Sequence, residues 1–324
     1  MGLRIHFSAE DIANTTVADE PDPLWEVLLS LHLIQTRDGA VVFDRWRQHA
    51  RTSRHLPRLT ALAPPRGYSP DFLTPDEGAS GLEPGLDAVL RTPKTRLTAE
   101  LTKLSTKRRL ADWGTDLACG NPKSLDELAG SLRGYYQDAI SPHWPAVRTA
   151  VATDRASRLH AMKTGGNQRL LATLHPKIRW LAPILEIHGR HVNGDLYLDG
   201  RGLRIIPSYF AWRAPTVLED KTLPPVLVYP IDRQLALTGG EIRPDNTALV
   251  ALLGATRAEV LIAADGCTTT DLGARVGISA ASASYHATIL RNAGLITSTR
   301  DGRQVSHAVT WLGQQLLHGD GSHG

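Results

Sequence analysis

The residues with the clearest chemical meaning lie between Ser279 and Arg303. Ser282, Ser284, Tyr285 and Thr288 fall on one side of a helix if that segment is helical. They are small or hydrogen-bonding groups, the kind that fits against base edges in a major groove. Ser279, Ala281, His286 and Arg291 share the same segment and complete the candidate surface. His286 has two readings, a base or backbone contact and a hydrogen bond that holds the helix within its own domain. Arg300 and Arg303 bracket Asp301-Gly302, a strong tight-turn pair, so two guanidinium groups stand at a hairpin tip where phosphates or a minor groove can be met. A second cluster, Glu186, His188 and His191, has metal-ligating groups. On a strand, however, Glu186 and His188 share a face while His191 lies past Gly189, so the ligand geometry is poor and a hydrated strand end is expected, with no metal. Six aromatics, Trp180, Tyr197, Tyr209, Phe210, Trp212 and Tyr229, either line an apolar pocket for a small molecule or form the core of a small sheet. The chain holds no Walker A loop, no Gly-x-Ser-x-Gly elbow and no dinucleotide fingerprint. No catalytic residue and no cofactor is therefore expected.

The candidate surface needs elements to hold it. Thr268 to Ile278 reads as a short helix with Leu272, Ala274 and Val276 facing inward. Gly277 can take positive φ and supplies a turn. Ser279 is a good N-cap for a second helix, Ala280 to Ala293, which Gly294 stops. Ala283, Ala287 and Leu290 make its buried stripe. Leu295 to Thr299 and Gln304 to Val309 are short β-type runs on either side of the Arg300–Arg303 turn. A helix pair over Asn246 to Ala263 precedes them. Helix, turn, helix and a basic-tipped hairpin, in that order, is the pattern of a winged helix-turn-helix, and it predicts binding to double-stranded DNA. The alternative is a winged-helix module that contacts proteins only.

This stretch resembles the C-terminal half of ArsR-type transcriptional regulators. The residues that carry the likeness are Asp271-Leu272-Gly273-Ala274-Arg275-Val276-Gly277-Ile278-Ser279, Ser284-Tyr285-His286, Leu290-Arg291-Asn292-Ala293-Gly294-Leu295-Ile296 and Asp301-Gly302-Arg303. The resemblance implies a homodimer whose second helix reads the major groove and whose wing touches the backbone. Ser282, Ser284, Tyr285 and His286 then sit on the recognition helix, with Arg300 and Arg303 on the wing. Metal-sensing members carry a cysteine pair where this chain has Thr268 and Thr270, and the nearby sulfur is Cys267 alone. One thiol does not make the multi-thiolate site that soft metals prefer, so a metal response is not expected. The front of the chain resembles the N-terminal region of actinobacterial regulators of this type. The echoes are Phe7-Ser8-Ala9-Glu10-Asp11, Pro23-Leu24-Trp25-Glu26, Leu174-His175-Pro176-Lys177-Ile178-Arg179-Trp180, Ile206-Pro207-Ser208-Tyr209-Phe210 and Val228-Tyr229-Pro230. That region implies no particular ligand.

Composition sets bounds on these readings. The 324 residues suffice for two domains, and a formal net charge of +3 is only mildly basic. From Asn246 onward five arginines face five acids, but from Ser279 to Gln304 three arginines face one aspartate. Moderate, salt-sensitive affinity is the expectation. No apolar run approaches the roughly 20 residues of a membrane helix. The start, Met1 to Phe7, lacks the apolar core of a secretion signal, and two cysteines, Cys119 and Cys267, make no disulfide framework. A cytoplasmic protein with reduced thiols is expected.

Residues 1 to about 175 read as helical, and 176 to 240 as β-rich. Ser8 to Asp11 has the form of a capping box, and Pro23 opens a buried helix. Phe43 to Leu59 carries Arg45, Arg47, His49, Arg51, Arg54, His55 and Arg58, read as a solvated helix face that could also touch phosphates. Further helices are expected at 82–90, 95–113, 124–140, 144–162 and 168–174, with Gly165-Gly166 as a break. Runs at 178–187, 196–198, 203–207 and 226–229 predict a small antiparallel sheet. The fold class is therefore α+β, mostly α. An N-terminal sensor and dimerisation domain spans 1–240, a winged domain 241–315 and a flexible tail 316–324. The expected function is a dimeric repressor, controlled by a small-molecule effector in the N-terminal domain.

Overall fold

The computed structural model describes residues 2–106, 112–188, 194–212, 214–231, 247–301 and 304–318. The chain is mixed α and β, with helices predominating. It divides into two compact units, one formed by 1–36 and 49–242, the other by 37–48 and 243–324. Residues 37–48 group with the second unit, although they lie far from it in sequence.

The first unit begins with strand β1 (Gly2–His6), helix α1 (Ala9–Ala13) and strand β2 (Thr16–Val17). Ser8 and Asp11 form the expected capping box: the Asp11 amide donates to Ser8 Oγ at 3.1 Å, and the Ser8 amide donates to Asp11 Oδ2 at 2.8 Å. Asp11 Oδ1 also accepts from the Gly202 amide at 3.1 Å, which ties the cap to the β-rich region. Helix α2 (Pro23–Ile34) is almost wholly buried, as a proline-opened apolar run requires. Its Glu26 carboxylate is buried and accepts from Ser208 Oγ and from the Tyr209 and Phe210 amides at 2.8 to 2.9 Å. Those three bonds offset the cost of burying its charge.

Helices α3 (Ala40–Ala50), α4 (Leu56–Leu62), α5 (Leu82–Leu90), α6 (Lys94–Ser105), α7 (Asp112–Ala118), α8 (Pro122–Tyr135) and α9 (Trp144–Ala172) follow. The segment expected as one helix over 95–113 ends at Ser105, and α7 starts separately at Asp112. Helix α9 contains the expected break: Gly165 and Gly166 leave helical geometry, and Gly166 takes φ +66°. After it, Leu170, Leu171 and Leu174 enter a core that lies between two sheets.

Those sheets correct the expectation of one small antiparallel sheet. The first has the order β3–β4–β1–β5, with β3 (Ile178–Leu181), β4 (Ile184–His188) and β5 (Gly194–Tyr197). The second has the order β2–β6–β8–β7, with β6 (Arg204–Ser208), β7 (Thr216–Val217) and β8 (Val226–Pro230). Both are mixed: β1 runs parallel to β5, and β6 runs parallel to β2 and β8. In the second sheet β6 reaches β8 through a crossover that carries β7, long enough for parallel pairing; in the first the reason lies in the N-terminal strand, which falls inside a segment read as helical. Leu3, Ile5 and Phe7 are buried and alternate with the outward Arg4 and His6. A strand that arrives from far away in sequence is free to pair in parallel, which a tight hairpin does not allow. Buried polar contacts join helix to sheet here. Asp154 on α9 pairs with Arg158 at 2.9 Å and accepts from the hydroxyl of Tyr229 on β8.

The second unit contains α10 (Thr247–Leu253), α11 (Ala255–Ala263), β9 (Cys267–Thr268), α12 (Thr269–Val276), α13 (Ala280–Asn292), β10 (Ile296–Asp301), β11 (Gln304–Val309) and α14 (Trp311–His318). Its three strands order as β10–β11–β9, all antiparallel. Helix α14 runs past residue 315, where a flexible tail was expected to begin, and its Leu316 and Leu317 pack on the core. Residues 319–324 lie outside the described residues.

Candidate nucleic-acid interface

Helix α12 starts at a built cap. Thr268 Oγ1 accepts from the Asp271 amide at 3.3 Å and donates to Asp271 Oδ2 at 2.7 Å. The helix ends at Gly277, which is left-handed at φ +72°, and the next amide, Ile278, returns to the Gly273 carbonyl at 2.9 Å. A Cβ at Gly273 would stand 2.9 Å from the Ile278 carbonyl oxygen, so the closeness of this turn requires glycine there. Leu272 is fully buried and Val276 packs half-buried on the same core, but Ala274 is exposed, which corrects the expectation that all three face inward. The cause is spacing. Residues two apart on a helix lie about 200° apart, so Ala274 turns away, whereas Val276, four residues on from Leu272, shares its face and packs on the same core.

Ser279 caps α13 as expected, its Oγ accepting from the Ser282 amide at 3.1 Å. Ala283, Ala287 and Leu290 are buried against Leu272, Leu261 and Val260. The side chains turned away from this core are the ones selected for chemistry. Ser279, Ala281, Ser284, Tyr285, Thr288 and Arg291 are exposed, Tyr285 to 65% of its surface. Ser282 is half-buried, and the Thr288 hydroxyl donates to the Ser284 carbonyl at 2.9 Å. His286 is half-buried edge-on to Tyr285, their ring centroids 5.4 Å apart. Its Nδ1 is buried and takes no hydrogen bond among the described residues. That disfavours the reading in which this nitrogen holds the helix within its own domain.

Gly294, at φ +73°, ends the segment and the chain turns directly into the hairpin. The register of β10 and β11 closes with Asp301 opposite Gln304. Arg300 is exposed on β10. Gly302 and Arg303, the linking residues, lie outside the described residues. Sequence reasoning missed the residue that holds this hairpin to the helices. His307 on β11 is buried, its Nε2 bonded to Thr269 Oγ1 and its Nδ1 to Ser298 Oγ, both at 2.9 Å. Burial first, and the charge of Arg291 second, push the imidazole below its ordinary pKa. One neutral ring therefore joins the start of α12, β10 and β11. A lone histidine in a short strand carries no signature of that role. Cys267 is likewise structural: it is buried, its thiol donates to the Ala263 carbonyl at 3.0 Å, and burial raises its pKa.

The other two candidate clusters are spread over several elements. Of the six aromatics, Tyr229 is buried on β8, and Tyr209 and Phe210 pack edge-on in the loop held by Glu26. Trp212 is half-buried just beyond them, while Trp180 sits edge-on to Phe7 in the first sheet. Tyr197 is 57% exposed and stacks on His6 at 4.4 Å. Trp180 and Tyr229 pack on one core between the two sheets, whereas Tyr197 lies on the outer surface and Tyr209, Phe210 and Trp212 lie in or just beyond the loop held by Glu26. A narrow apolar gap is lined by Leu24, Val27, Leu31, Leu59, Leu62 and Leu132. Glu186 lies opposite Arg4 and Arg179 in the first sheet, His188 lies opposite Gly2, and His191 is outside the described residues. Among the described residues no group of three His, Cys, Asp or Glu side chains is placed to hold a metal, and no helix is long and apolar enough to cross a membrane. Comparison of the chain with protein-family profiles, with curated proteins and with solved structures finds no match.

Proposed function

We propose that the second unit is a winged helix-turn-helix and that the protein is a sequence-specific, DNA-binding transcriptional regulator resembling the ArsR type. One observation carries the reading. Helix α13 buries its small-residue stripe and turns Ser284, Tyr285, Thr288 and Arg291 outward, next to a hairpin with an exposed arginine. At 13 residues the helix is about 20 Å long, enough to lie in a major groove. The polar side chains read base edges and Arg300 and Arg303 meet phosphates. The protein acts as a homodimeric cytoplasmic repressor, with two recognition helices about 34 Å apart on a two-fold operator. An effector, where one exists, acts through the N-terminal unit.

The test is recovery of bound fragments from a sheared genomic library by purified full-length protein, followed by sequencing. Enrichment of one motif with two-fold symmetry supports the reading. Recovery of fragments without a shared motif overturns sequence-specific regulation. A second reading, a module that contacts proteins, is favoured by the exposure of Leu252, Trp311 and Leu312 on α10 and α14. It predicts no enriched motif at all.

A further inference from the structure

From Arg45 to Pro70 the chain carries six arginines and two histidines and not one acidic residue. Exposed arginines elsewhere are often neutralised: Arg133 meets Glu83 at 2.5 Å, Arg148 meets Glu20 at 2.9 Å and Arg204 meets Asp76 at 2.7 Å. Inside the run, Arg47 is buried against Asp44, and Arg58 meets Glu127 while lying over the Trp113 ring. Arg51 and Arg54 differ. Like Arg45 and Arg66 at the two ends of the run, both are exposed, and none of the four takes an ion pair among the described residues; Arg51 and Arg54 share one turn.

The turn that carries them, between α3 and α4, is held firmly. Ser53 is buried, and its hydroxyl donates to Asp138 Oδ2 at 2.7 Å. His49 Nε2 bonds to the Asp138 carbonyl at 3.1 Å, and the Thr52 and Ser53 amides close onto His49 and Ala50. A fixed backbone lowers the entropic cost of ordering the two guanidinium groups on a ligand. Unpaired guanidinium groups suit phosphate oxygens. No large apolar side chain between Arg45 and Arg58 is exposed. That argues against a membrane surface, where apolar residues insert beside the charges, and against an apolar protein interface.

We infer that the Arg51–Arg54 turn is a second polyanion-binding surface, which grips the phosphates of duplex DNA outside the segment read by α13. The inference rests on the DNA-binding reading above. Its test uses full-length protein, the motif recovered from the genomic library, and two duplexes: the motif alone, and the motif with about 15 further base pairs on each side. Affinity is measured across a salt series for the wild type and for the Arg51→Ser/Arg54→Ser double variant. On the long duplex the variant should bind at least about tenfold more weakly at low salt, and the slope of log affinity against log salt should fall by about 3.6, four phosphate contacts' worth across the two protomers. On the short duplex it should match the wild type. Equal affinities on both duplexes overturn the inference while leaving the DNA-binding reading intact. Equal losses on both place the arginines inside the α13 footprint and also overturn it. A wild type that binds neither duplex removes both readings. Binding to phosphatidylserine vesicles that is lost in the variant reassigns the surface to membranes.

Discussion

Arg300 and Tyr285 stand on neighbouring elements and should fail differently when removed. Arg300→Ala/Arg303→Ala deletes charge at the hairpin of both protomers, so binding should weaken on every duplex and the salt slope should drop by about 3.6, four phosphate contacts' worth. Tyr285→Ala/Ser282→Ala should leave non-specific affinity nearly intact and cost about 1–3 kcal/mol of preference for the operator. Competition titrations with operator and random duplex separate the two. Uniform weakening by the second variant would remove its base-reading role. His307 makes a third prediction at this scale. Removing its ring leaves Thr269 and Ser298 without their shared partner, so His307→Ala should destabilise the second unit by about 2 kcal/mol. Amide exchange across β10 and β11 should accelerate first, and unchanged exchange would contradict the joining role.

Helix boundaries of the second unit were legible because their signals are local. Thr268, Gly277, Ser279 and Gly294 each act on their own backbone or on an amide within a few residues. Ser279→Ala should cost about 1 kcal/mol in thermal unfolding. Gly277→Val should cost more, because a β-branched residue is strained at φ +72°. If both variants unfold like the wild type, the caps contribute nothing. The sheets were less legible. The alternation of Leu3, Ile5 and Phe7 with Arg4 and His6 is a strand signal in plain sight. The partners of β1 lie some 180 residues on, however, so nothing local fixes the direction of pairing. The aromatic set is divided between elements for the same reason. Composition gathered Trp180, Tyr197 and Tyr229 by nearness in sequence, whereas sheet order sends the first two to one sheet and the third to the other.

On the scale of the whole molecule, buried ionisable groups set how folding responds to acid. Burial holds His32 and His175 down to a pKa of about 4, below the ordinary 6.5. Their neutral forms favour the fold fully above pH 6.5, and that stability is lost as pH falls towards 4. Burial acts in the opposite sense on Asp22 and Asp71, raised to about 6. They favour the fold when protonated, and that contribution fades as pH rises through 6. The two effects oppose each other between pH 4 and 6, so a single residue must be isolated. His32 faces Ser69 Oγ at 2.8 Å, and His32→Gln keeps a polar partner for it. The variant should lose less unfolding free energy than the wild type between pH 6.5 and 4, a difference on the order of 2 kcal/mol in denaturant titrations. Parallel curves would contradict the role given to His32.

The central claim is that α13 and its hairpin recognise a DNA sequence. It is tested most directly by fluorescence anisotropy of full-length protein on a labelled duplex carrying the recovered motif, challenged with excess random duplex at low and moderate salt. The account predicts tight binding that survives the competitor and weakens steadily with salt. Binding that random DNA displaces as readily as the motif itself, and that vanishes at moderate salt, would contradict it.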